Sequence, residues 1–181
     1  MRTRTMLMLL AGAAGLALAA LALYAATRPD QFRIERSLRI AAPPERVFPL
    51  INDLHGFNTW NPFARKDPNL QGSYSGPASG PGARYAWQGN KDVGRGSMEI
   101  LNATASSQVA MRLDFIEPFE AHNLVDFTLV PEGGATTVTW AMHGPAPFVS
   151  KLMGIFFPME RMVGPDFEAG LATLKALAEK P

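Results

Sequence analysis

The stretch "GSMEILNATASSQVAMRLDFIE", Gly96 to Glu117, places apolar side chains at every second position on both sides of a polar break. Met98 and Ile100 precede Asn102 to Ser107, and Met111, Leu113 and Phe115 follow it. A period of two is that of a strand whose faces meet different surroundings, and a short Asn/Ser-rich interruption is a turn signal. The stretch therefore reads as a β-hairpin with one apolar face. The same alternation continues outward through Tyr85 and Trp87, Val125 and Phe127, and Val138, Trp140 and Met142. The intervening positions are wet: Arg84, Gln88, Glu99, Arg112, Asp114, His122, Asp126, Thr137 and Thr139. With further turn signals at Ser75 to Gly82, Gly89 to Asp92 and Glu132 to Gly134, the region from Leu70 to His143 is expected to be an antiparallel meander.

Such a sheet must cover its apolar side. Upstream, Phe32 to Ala41 reads as a first strand. Pro43-Pro44-Glu45 then opens a short helix, with Val47, Leu50, Ile51 and Leu54 at helical spacing. Phe57, Trp60 and Phe63 continue the apolar stripe through a second short helix cut by Pro62. Downstream, Phe148 to Lys180 carries the stripe Phe167, Leu171, Leu174 and Ala178, interrupted at Pro158 and at Gly164-Pro165. The expected fold is α+β: seven antiparallel strands, two short helices after the first, and a long kinked C-terminal helix over the sheet.

Six methionines lie outside the N-terminal run. Met98, Met111 and Met142 fall on the apolar sheet face, and Met153, Met159 and Met162 fall on the covering segment. Methionine adapts to irregular gaps and to varied guests. A helix broken by prolines cannot lie flush on a sheet, so these side chains, with Phe156, Leu113 and Phe127, are expected to line an apolar cavity. Trp60, Trp87, Trp140, Tyr85 and Asn123 are its polar-tipped members. Tyr85 and Asn123 are the expected hydrogen-bonding groups, since burying either without a partner costs about 1 to 3 kcal/mol. The alternative is a solid core in which the methionines pack on one another.

Residues 1 to 26 are a separate physical object. Met6 to Ala26 runs without a charge behind Arg2 and Arg4; as a helix it is about 31 Å long, the thickness of a bilayer core. A cleaved signal peptide is the rival reading, because Ala17-Leu18-Ala19 and Ala20-Leu21-Ala22 supply small residues at cleavage-like spacing. The organisation expected is an N-terminal membrane segment (1–26), a linker (27–32) and one domain (33–181). A short basic tail before an apolar run is that of an export signal, which places the domain outside the cytoplasm. Arg28, Arg33, Arg36 and Arg39 on the far side oppose that orientation under the positive-inside rule.

Several chemistries lack their groups. The net charge is +1, and without Arg2 and Arg4 fifteen basic residues face sixteen acidic ones, which is no footprint for nucleic acid. With no cysteine, disulfides, thiolate metal sites and cysteine nucleophiles are excluded. "GSYSG" (72–76) has Tyr74 where a nucleophile elbow needs serine, and "GNKDVGRG" (89–96) lacks the lysine and hydroxyl of a phosphate loop. His55, His122 and His143 have no metal-type spacing; His122 falls on the wet face, and His143, ending a strand, is placed to reach a pocket mouth as acid or base. No catalytic residue, metal or cofactor is assigned, and nothing in the sequence sets the oligomeric state.

The order of elements, with "RSLRIAAPPERVFPLINDLHGFNTWNPF", "GPASGPGARYAWQGN", "GRGSMEI", "RLDFIEPFEA" and "GPDFEAGLATLKALAE", resembles the START-like helix-grip (SRPBCC) superfamily, in its polyketide cyclase/dehydrase-like branch. The resemblance covers residues 33 to 180. It implies a curved seven-stranded sheet gripping a C-terminal helix around a hydrophobic pocket. Its members bind lipids, quinones, polyketides or plant hormones, and a minority are cyclases or aromatases. The function expected is a membrane-anchored binding domain for a hydrophobic small molecule. The enzyme alternative, a cyclase or dehydratase, would need Tyr85 or His143 as its acid or base.

Overall fold

The computed structural model describes residues 2–180. Helix α1 (Arg2–Ala26) leads into β1 (Gln31–Ile40), then α2 (Pro44–Asn52), α3 (Leu54–Asn58) and a 3-10 turn (Phe63–Arg65). Six strands follow: β2 (Gln71–Ser75), β3 (Arg84–Gln88), β4 (Arg95–Thr104), β5 (Gln108–Glu117), β6 (Ala121–Glu132) and β7 (Ala135–Pro145). Two helices close the chain, α4 (Phe148–Phe156) and α5 (Met159–Ala178).

The strands form one antiparallel sheet in the order β1-β7-β6-β5-β4-β3-β2. β1 and β2 are its two edges, so residues 41–70 must cross from one edge to the other, and α2 and α3 make that crossing. Pro44 and Glu45 open α2 as the sequence indicated, and the Asp53 carboxylate accepts the His55 backbone N–H at 2.8 Å to start α3. A bulge between Ile100 and Asn102 sets Leu101 out of register, the kind of insertion that bends a strand.

Alternation sorts the two faces. Val109, Met111 and Leu113, then Val125, Phe127 and Leu129, and Val138, Trp140 and Met142 are buried on the inner face. The outer face carries a ladder of charges: Arg84 to Glu99 at 3.1 Å, Arg112 to Asp114 at 3.0 Å, and His122 to Asp114 at 2.8 Å. Asp114 also raises the His122 pKa by this hydrogen bond, with Glu120 acting in the same sense.

β1 breaks its own pattern once, and the exception fastens α5. Arg36 stands among inward-facing Ile34, Leu38 and Ile40, and its guanidinium bonds Glu160 and Glu168, both at 2.6 Å. The guanidinium crosses α5 at Gly164, where an added Cβ would come within 2.2 Å of it. Lys66 of the crossing segment holds Asp166 at 2.7 Å. The proline expectations divide: α5 continues through Pro165, whereas Pro158 ends one helix and begins another.

α5 also lies close on the sheet at Gly170, where a Cβ would meet the Trp140 ring at 2.7 Å and Pro62 at 3.0 Å. Trp140 cannot give way, because it stacks on Phe167 at 4.0 Å between centroids. Gly170→Ala is expected to destabilise the fold by about 1 to 3 kcal/mol as overpacking. Gly154→Ala in α4 meets nothing within 4 Å and is expected to stabilise by about 0.5 to 1 kcal/mol through helix propensity. Urea unfolding of the two variants in one detergent checks the opposite signs.

Candidate functional site

The interior is packed at one end and hollow at the other. Ile100 faces Met111, Val109 faces Phe127 and Leu129 faces Val138; all are buried and form a solid layer with Leu171 and Leu174 of α5. An aromatic group bounds this layer: Trp60 lies 5.5 Å from Trp140 and Phe127 lies 5.3 Å from it, between centroids.

Beyond that seam is a cavity of about 170 Å³. Its sheet wall is Tyr85 and Trp87 of β3, Met98 of β4, Leu113 and Phe115 of β5, Val125 of β6, and Trp140 and Met142 of β7. Val163 and Phe167 of α5 close one side, and Phe57, Asn61, Phe63, Ala64 and Leu70 close another. Asp92 and Val93 of the β3–β4 turn complete the lining at its rim. Gly96 makes room for this wall, since a Cβ there would meet the Trp87 ring at 2.6 Å.

The polar groups in and around the wall separate into occupied and free. The Trp60 indole N–H donates to the Leu50 carbonyl at 2.8 Å, and the Trp87 N–H donates to the Val93 carbonyl at 3.2 Å. Asn61 donates to the Asn58 side chain at 3.1 Å and accepts the Phe63 backbone N–H at 3.2 Å. Trp140 differs: among the described residues its buried N–H has no partner. The atom is fully shielded inside the aromatic seam, so it is a cost to the fold and not a donor facing the cavity. Burial pushes the Tyr85 phenol above its ordinary pKa, and the neighbouring Tyr74 phenol adds to the effect. Tyr85 is thus a neutral hydroxyl throughout the physiological range.

Six of the expected ligand residues line the cavity: Tyr85, Trp87, Met98, Leu113, Trp140 and Met142. Trp60, Met111 and Phe127 are fully buried behind it, in the solid layer. Asn123 is buried against Gly144, whose added Cβ would reach its amide oxygen at 2.4 Å, and it does not reach the cavity. Met153, Phe156, Met159 and Met162 are exposed by 40 to 63% and lie outside it. The expectation that they face the sheet is corrected: the break at Pro158 turns α4 away, with none of its residues buried, and Met159 and Met162 lie in the opening turns of α5, before its first buried residue, Gly164. His143 is corrected too, because its side chain bonds Asp126 at 2.8 Å on the outer face.

Phe115 and Val125 were legible as inward positions by alternation, and Phe57 and Phe63 by the helical stripe, while Asn61, Leu70 and Val93 sit in turns where no periodicity points to a cavity. Asp67 is a further buried carboxylate without a sequence signal. It accepts the backbone N–H groups of Asn69 at 2.9 Å and Asn90 at 2.6 Å, bracing the rim.

The sequence profile of a family described as "Polyketide cyclase / dehydrase and lipid transport" matches residues 31–179. The chain belongs to that family. Solved structures share the helix-grip fold of this chain at low identity. Protein CV1439 from Chromobacterium violaceum is 15% identical, with a TM-score of 0.59 over 85% of this chain and 100% of its own. Protein MLL2253 from Mesorhizobium loti is 15% identical, with a TM-score of 0.59 over 81% and 96%. A protein from Arthrobacter aurescens is 14% identical, with a TM-score of 0.57 over 82% and 87%. At these identities the likeness is one of fold. No curated protein matches the chain.

The geometry separates two methionines that look equivalent in sequence. Met142→Trp is expected to fill the cavity and abolish uptake of a fluorescent apolar probe such as N-phenyl-1-naphthylamine, with the fold intact. Met111→Trp is expected to cost about 1 to 3 kcal/mol by overpacking the solid layer. Probe titration and urea unfolding of both variants check the pair.

Proposed function

We infer that the domain binds a small hydrophobic molecule carrying at least one hydrogen-bond acceptor, and holds it between the sheet and α5. The observation that carries this reading is a mostly apolar cavity of about 170 Å³ with the Tyr85 phenol in its wall. Size narrows the class. An enclosed space of about 150 Å³ accommodates a benzene-sized guest, so a cavity of about 170 Å³ takes a ring or a short acyl segment. A longer molecule must extend through the rim. Membership of a family that includes lipid transport supports the same class of cargo.

Met6–Ala26 is long and apolar enough to cross a membrane, and in this reading it anchors the domain on the extracytoplasmic side. Anchoring holds a binding domain where lipophilic cargo is concentrated. The cyclase or dehydratase reading keeps one supporting observation, the Tyr85 phenol in the cavity wall. Its raised pKa suits donation of a proton or hydrogen bond, not removal of a proton.

Native mass spectrometry of the full chain, purified from its own host and released from detergent, is expected to show a retained lipophilic adduct that Met142→Trp loses. Absence of any adduct, together with no apolar probe uptake, would favour a solid interaction module. Tyr85→Phe is expected to weaken ligand retention by about 1 kcal/mol, roughly fivefold; complete loss of a chemical conversion with retention unchanged would establish the enzyme. A C-terminal reporter enzyme that works only outside the cytoplasm is expected to be active, and a silent but stable fusion reverses the orientation.

A further inference from the structure

The hollow end of the sheet is also the end from which α1 leaves. Gln31 opens β1 opposite Pro145, the last residue of β7, which leads into α4. Arg95 stands opposite Glu117, which puts the β3–β4 turn and the β5–β6 tip at that same end. α1 packs against α4, with Ala25 buried and Leu21 and Ala22 half-buried near its C-terminus. Lys151, the single charged residue of α4, keeps only 8% of its side chain exposed and pairs with Asp30 in the connection between α1 and β1.

The outer side of α4 is therefore without charge. Phe148, Val149, Met153 and Phe156 on α4, and Phe157 after it, are exposed by 48 to 65%, and Phe119 at the β5–β6 tip by 74%. Exposed apolar side chains gathered at one end of a fold in this way mark a membrane or partner contact. α1 decides between them, because a span-length helix whose last turns touch α4 brings α4 to the bilayer surface. The end of α1 has the composition of that level: Tyr24 is half exposed and the Arg28 guanidinium lies 5.4 Å from its ring centroid, as aromatic and basic residues do at the headgroups. Lys91 in the β3–β4 turn is exposed, and a surface lysine at that level suits a phosphate surface.

We propose that α4, Phe157 and the Phe119 tip lie in the boundary between headgroups and acyl chains of a phospholipid bilayer, so that the cavity opens onto lipid. Cargo then passes between cavity and bilayer without crossing water. This deepens the proposed function and rests on it for the cargo, while the docking itself rests on α1 and the apolar end.

The chain has no cysteine, so single labels can be placed cleanly. Phe156→Cys and Phe119→Cys sample the apolar end, and Ala105→Cys samples the β4–β5 turn at the other end. Each full chain carries an environment-sensitive fluorophore in phosphatidylcholine/phosphatidylglycerol vesicles. The labels at 156 and 119 are expected to lose fluorescence to acyl-chain nitroxide lipids and to resist aqueous iodide, with the reverse at 105. Quenching of 156 or 119 by iodide to the extent seen at 105 overturns the proposal, as does shielding of either from both quenchers, the sign of a contact between copies. Apolar probe uptake is measured on the same chains. Its failure with the labels still in lipid refutes the cavity reading alone; uptake with labels in water refutes the docking alone.

Discussion

The flat stack of Trp140 on Phe167, 4.0 Å apart and 7° from parallel, is the contact on which the interior depends. It joins the centre of β7, the strand beside the β1 edge, to the middle of α5 and sets how closely sheet and helix approach. On one side of it, Gly170 lets the helix settle onto Trp140 and Pro62, and Leu171 and Leu174 enter the packed layer. On the other side the helix presents only Val163 and Phe167 to the cavity. Two aromatic rings bury about 150 to 250 Å² each, so the seam is rigid and the hollow beyond it cannot close without breaking the stack. Arg36 and Lys66 hold α5 from both edges of this contact, through Glu160 and Glu168 on one and Asp166 on the other.

The same seam sorts three tryptophans of identical chemistry into different roles. Trp60 and Trp87 donate to backbone carbonyls nearby in sequence, which makes their N–H groups part of the scaffold. Trp140 sits between Phe127 and Phe167, rings that accept no conventional hydrogen bond, and its N–H is left without a partner among the described residues. An apolar wall with one neutral phenol confers orientation with little reactivity. That pattern suits recognition of a lipophile with a single oxygen more than proton shuttling.

α4 shows how one composition serves opposite surroundings. A helix rich in Phe, Met, Val and Leu covers either a protein core or a hydrocarbon boundary, and the apolar area involved is worth about 25 cal/mol per Å² in both. Here the Pro158 break and the pairing of Lys151 with Asp30 orient it toward α1, away from the sheet. The cavity therefore has a less adaptable lid than a methionine-rich cover would supply, and the adaptable side chains face outward.

Periodicity alone carried the sheet, because alternation in Met98 to Ile100 and Met111 to Phe115 records the difference between two faces at each residue. The crossing helices, the C-terminal stripe and the span-length apolar run were legible for the same local reason. Half-legible was the site: Tyr85, Trp87, Met98, Leu113, Trp140 and Met142 follow from alternation, but alternation says only that a side chain points inward. Whether it then meets another side chain, as Met111 does, or empty space, as Met142 does, depends on how far α5 stands from each strand. That distance is set by Gly170 against Pro62 and Trp140, the Trp140 stack on Phe167 and the Pro158 break acting together, contacts between segments far apart in sequence that no local pattern encodes.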